Sequence, residues 1–184
     1  MYRQTVPSIA LVAILAFAAA GCGGQSGEEK YANSVCSDIS DWKDQIEKSA
    51  NDVKAKIQSP EVGMLAAIET EIQEAVDATN QLASNLKSLE PPDTQEGRSA
   101  RQQLEALAST AQATANKAKQ TVSSIPQGAS ITQTAQQLAS LAPEINSLAV
   151  NTSSTLASVK ETGEKMKDGF DNADSCKKLK SSSS

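Results

Sequence analysis

Residues 65–92 read LAAIETEIQEAVDATNQLASNLKSLEPP. Within this stretch Leu65, Ile68, Ile72, Ala75, Thr79, Leu82, Leu86 and Leu89 recur at alternating steps of three and four, unbroken as far as Pro91-Pro92. One face of a helix with 3.6 residues per turn produces that alternation, whereas a strand face repeats every second residue. The stretch predicts a long amphipathic helix. Ser59-Pro60 ahead of it reads as an N-cap followed by proline in the first turn, where a missing N–H costs nothing.

The same rhythm extends in both directions. Upstream, Ala32, Val35, Ile39, Trp42, Ile46, Val53 and Ile57 form a stripe with Ser49 at the skipped position, opened by the capping-box pattern Ser26-Gly27-Glu28-Glu29. Downstream, Asp93-Thr94-Gln95-Glu96 opens a third helix with the seam Ala100, Leu104, Leu107, Ala111, Thr114, Ala118, Thr121 and Ile125, closed by Pro126-Gln127-Gly128. Ser130-Ile131-Thr132-Gln133 opens the last segment. Its seam, Leu138, Leu141, Ile145, Leu148, Thr152, Leu156, Val159, Met166, Phe170 and Ala173, crosses Pro143 and runs on toward Leu179. A single helix over residues 129–177 would be about 73 Å long, against about 45 Å for one of 30 residues. The chain is therefore expected to bend at Pro143, with 130–142 folded as a short extra helix over the end of the others.

Large apolar side chains are sparse: hydrophobic residues make up 39% and aromatics 3%. Such a chain needs the periodicity above to argue for a packed structure rather than a disordered one. It contains no His, which excludes Ser-His-Asp and Cys-His catalysis, His-ligated zinc or haem, and histidine pH switching. A net charge of −5 argues against nucleic-acid binding, which calls for a basic face. Gly-rich phosphate loops, the GxSxG elbow and the HExxH pair are all missing from the sequence. No catalytic residue, metal ligand or cofactor site is expected, and the chain is not read as an enzyme.

The first 22 residues follow the order of an export signal. Arg3 is the only charge, Val6–Ala20 is apolar apart from Pro7 and Ser8, and Ala18-Ala19-Ala20-Gly21 supplies small residues for cleavage. The apolar run is shorter than the roughly 20 residues a membrane-spanning helix needs. Ala20-Gly21-Cys22-Gly23-Gly24 resembles the lipobox of bacterial lipoprotein precursors. That resemblance covers residues 1–27 and implies that Cys22 becomes the first residue and carries a diacylglycerol on its sulfur. Ala19 stands where the family prefers Leu, so cleavage after Ala20, with secretion and no anchor, is the alternative. More loosely, the chain is similar to uncharacterised secreted helical lipoproteins of actinobacterial type, which carry a Cys near the start of the first mature helix; no activity comes with that likeness. The expected organisation is a signal peptide over 1–21, a lipidated Cys and flexible tether over 22–27, a helical bundle over 28–180 and a disordered tail over 181–184. The expected location is the outer face of the bacterial cell membrane, held there by lipid.

Two cysteines remain, Cys36 and Cys176. In an exported chain such a pair reads as a disulfide, and the alternative is two buried thiols. Cys36 lies near the start of the first helix and Cys176 near the end of the last. In an up-down arrangement those ends meet only if the number of long helices is even, which points to four antiparallel helices with short connections at 58–61 and 90–93.

The remaining candidates are weaker. Asp38, Asp41 and Asp44 are spaced by three, and drift around the helix instead of converging as a calcium loop does. Glu69, Glu71, Glu74 and Asp77 read as a solvated acidic face, and Trp42 and Phe170 as core anchors. Asn151-Thr152-Ser153 matches a glycosylation sequon by chance. Charge is divided unevenly: residues 22–97 hold six basic and fifteen acidic groups, while residues 98–184 hold ten and seven. Between Ala106 and Val159 the only charges are Lys117, Lys119 and Glu144. That surface is a candidate face for a protein or cell-wall partner, and Gln112, Gln120, Gln136 and Asn146 lie off its seam. The function expected is a non-catalytic binding or structural role at the cell surface. The alternative is a sensor or solute-binding bundle with a small-molecule site between helices, near the seam residues Thr79, Thr114 and Thr152.

Overall fold

A computed structural model describes residues 24–59, 63–126, 128–139 and 142–181. Residues 1–23, where the export signal and the lipidated Cys22 are expected, lie outside these, as do Pro60, Leu141 and residues 182–184, and the side chains of Ile145 and Asn146 are not described. All regular structure among the described residues is helical: α1 (Gly27–Gln58), α2 (Met64–Ser88), α3 (Gln95–Ser123), α4 (Ile131–Ala139), α5 (Ala142–Lys160), α6 (Glu164–Asn172) and α7 (Asp174–Ser181).

Local chemistry explains most of the helix starts. Ser26 Oγ accepts from the Glu29 N–H at 3.1 Å, which satisfies one of the donors left open at the head of α1. At α3 the cap falls on Thr94, whose Oγ1 accepts from the Gly97 N–H at 3.0 Å. At α4 the box closes in both directions: the Gln133 N–H donates to Ser130 Oγ and the Ser130 N–H donates to Gln133 Oε1.

Two expectations about boundaries fail. Ser59 does not open α2; it is the residue that closes α1, its N–H donating to the Ala55 carbonyl. The second helix starts after Gly63, whose φ of 88° lies in the left-handed region that glycine enters without steric cost. The long helix expected beyond Pro143 is three helices. Pro143 sits in the first turn of α5, where its missing N–H is no loss. The chain leaves helical geometry at Gly163 and at Ala173. Periodicity across those points survives because the same faces are buried on both sides, so a seam alone cannot report the breaks.

Packing follows from cross-pairs. Lys56 reaches Glu71, Trp42 reaches Thr79 and Asp38 reaches Asn85, so α1 and α2 run antiparallel. Arg101 reaches the Lys87 carbonyl and Gln112 reaches Asn80, which makes α2 and α3 antiparallel as well. α5 packs on α3 and α6, and α6 and α7 fold back onto α1. The main core gathers at the end where α1 begins. Val35 and Ile39 of α1, Leu82 and Leu86 of α2, and Leu104 of α3 meet Met166 and Phe170 of α6, all buried. Gly169 lets α6 approach closely, since a Cβ there would stand 2.7 Å from the Glu28 carbonyl carbon. Toward the other end the seam thins: Val53, Ile57, Leu65, Ile72, Thr114 and Ala118 are only half-buried, and Val122, off the expected seam, takes the buried position.

Candidate functional site

The first and last helices of the described chain are joined covalently. Cys36 and Cys176 form a disulfide with Cα atoms 5.0 Å apart, and both residues are buried. Beside it the Ser175 N–H donates to Asn33 Oδ1 at 3.0 Å, a second tie between α7 and α1.

The threonines considered for a site between helices are already committed. Trp42 Nε1 donates to Thr79 Oγ1 at 3.1 Å, and that hydroxyl donates to the Ala75 carbonyl at 2.8 Å. Trp42 and Thr79 thus form one buried structural unit. Thr114 and Thr152 turn their hydroxyls back onto the Thr110 and Leu148 carbonyls of their own helices. No hydrogen bond joins the three.

The acidic clusters divide in the same way. Glu71 pairs with Lys56 at 3.1 Å and Glu74 with Lys48 at 3.9 Å. They stitch α2 to α1, and Asp77 accepts from Gln73. Burial raises the Asp38 carboxyl above its ordinary range, partly offset by the hydrogen bond from Asn85. Asp41 and Asp44 are exposed. Among the described residues no group of three His, Cys, Asp or Glu side chains could hold a metal ion. Tyr31 is a residue the seam reading missed. It is buried in the core, its hydroxyl has no hydrogen-bond partner among the described residues, and burial pushes its phenol up to about 12.

The charge-poor stretch contains a defined concavity. Leu104 and Leu107 of α3 are buried, and most of the side chains flanking the contact of α3 with α5 are short. What remains is an open groove of about 300 Å³. Leu107 forms a buried floor, and Ala106 and Thr110 complete the α3 wall with Gln103. The α5 wall is Asn151, Ser154, Thr155 and Ser158. None of these residues is charged.

Hydrogen bonding separates the two walls. Thr110 donates to the Ala106 carbonyl, the back-bonding that hydroxyls on helices commonly make. For Asn151, Ser154, Thr155 and Ser158 the structure gives no side-chain hydrogen bond to another described protein group. Gln103 Oε1 is buried and also lacks a partner among the described residues. Gln103 lies just outside the stretch picked out by its lack of charge, and the helical spacing that puts it on one face with Ala106, Leu107 and Thr110 was the signal available for it. Gln112, expected on the free surface, instead bridges to Asn80 Oδ1 of α2 at 3.0 Å, while Gln120 and Gln136 are exposed. No family model, curated protein or solved structure matches the chain.

Proposed function

We propose that the chain is an exported, lipid-anchored helical bundle that binds a partner at the cell surface without catalysing a reaction on it. In this reading Cys22 carries the lipid, four antiparallel helices (α1, α2, α3 and α5) form the body, and α6–α7 close it against α1. The anchor would sit five residues before the start of α1, on the side of the core and the disulfide. Two acyl chains hold a protein on a bilayer stably, where one gives only marginal binding. A buried disulfide is at home in an oxidising compartment, and this supports export.

The observation that carries the binding role is the groove between α3 and α5, uncharged throughout and with an α5 wall whose side chains make no hydrogen bond to another described residue. The threonines that would have favoured an enclosed small-molecule site spend their hydroxyls inside the fold, so the open face is the better candidate. The test has two arms. Cys22→Ser should move the protein from the membrane fraction to the soluble fraction; equal partitioning of mutant and wild type would refute the anchor. A photo-crosslinking residue at Ser154 should give a discrete adduct on intact cells, while one at Asp77 on the acidic side should not. Identical patterns at both positions would refute the binding face.

A further inference from the structure

We propose that the α3/α5 groove binds a neutral carbohydrate, a short hydroxyl- and amide-bearing run of uncharged glycan; the proposal rests on the reading of this face as the binding surface. The first argument is charge. A charged ligand entering the groove would lose water and meet no opposite charge, because every residue that lines it is uncharged. A neutral ligand avoids that cost.

The second argument is the kind of contact on offer. Protein partners are held chiefly by large apolar and aromatic anchors. Here the lining has one such side chain, Leu107, which is already buried. Val150, 63% exposed, is the single large hydrophobic residue left open among the described residues. That is too little apolar surface to hold a protein. What the groove does present is a ladder of uncommitted polar groups. Asn151, Ser154, Thr155 and Ser158 follow at i, i+3, i+4 and i+7, so they lie along one face and span about 10 Å of helix axis. Hydroxyls of a sugar can donate to and accept from each of them. The exposed methyl of Ala106 offers a small apolar patch to the C–H face of a pyranose ring. With no aromatic residue in the lining, stacking contributes nothing and affinity should be weak, in the millimolar range.

The experiment is a titration of the isotope-labelled, purified chain with chitotriose, a neutral trisaccharide bearing acetamido groups, followed by amide chemical shifts. Saturable shifts are expected over Gln103–Thr110 and Asn151–Ser158. They should weaken about tenfold in a Ser154→Ala/Ser158→Ala variant, which removes two hydroxyls at exposed positions where alanine favours the helix. A melting temperature no lower than that of wild type in that variant shows that the fold is kept. The fully deacetylated, cationic trisaccharide should not shift the groove. The proposal is overturned if chitotriose shifts nothing there, if the double variant binds equally well, or if the cationic sugar binds the groove as tightly. The crosslinker at Ser154 separates two failures. A discrete protein adduct without any chitotriose response would leave the binding face and remove the carbohydrate; neither response would remove both.

Discussion

Breaking the Cys36–Cys176 bond should remove a large part of the stability of this protein. The two residues are 140 apart in sequence, and closing a loop of that length in the unfolded chain corresponds to about 5 kcal/mol in the chain-entropy model. Single domains are stable by only about 5–15 kcal/mol in all. The core here is Ala-rich, so little other burial stands in reserve. For a domain of this size each kcal/mol moves the melting temperature by roughly 2–4 °C, which gives a drop of about 10–20 °C. The assay is urea and thermal unfolding of wild type, with and without reductant, and of a Cys36→Ala/Cys176→Ala variant. Hydrogen exchange should show α7 losing protection first. It is a short helix held to α1 by the disulfide, the Ser175–Asn33 hydrogen bond and the burial of Cys176 and Leu179. A variant that unfolds within about 1 kcal/mol of the oxidised protein would refute the reasoning, because it would mean that packing alone holds the two ends together.

Two further substitutions test the core. Tyr31→Phe removes a buried hydroxyl that has no partner among the described residues and should stabilise the fold by about 1 kcal/mol. The native state holds the Tyr31 proton up to about 12, while the unfolded chain releases it near 10.0. Wild-type stability should therefore fall as pH rises through that window, and the variant should lack this component; identical pH profiles would show that the hydroxyl is not sealed. Thr79→Val leaves the buried Trp42 Nε1–H without its acceptor and should cost about 1–3 kcal/mol in urea unfolding. Thr152→Val, whose hydroxyl bonds only to its own helix, is the control and should cost less.

The sequence by itself determined what depends on near neighbours along the chain. Steps of three and four predict helices, and Ser26 and the Ser130–Gln133 pair cap them as read, because capping is an interaction within a few residues. The disulfide partners also followed, since only two cysteines lie within the bundle. Tertiary structure decided the rest. Whether a helix begins at Ser59 or after Gly63 depends on how the chain turns back to place α2 against α1. Gly163 and Ala173 become breaks because folding α6 onto α1 buries Met166 and Phe170 fully, a gain that a straight helix would forgo. Tyr31 lies one residue off the seam and is buried because α1 is covered on more than one side. The groove depends on how α5 packs against α3, and no pattern within a single helix carries that information.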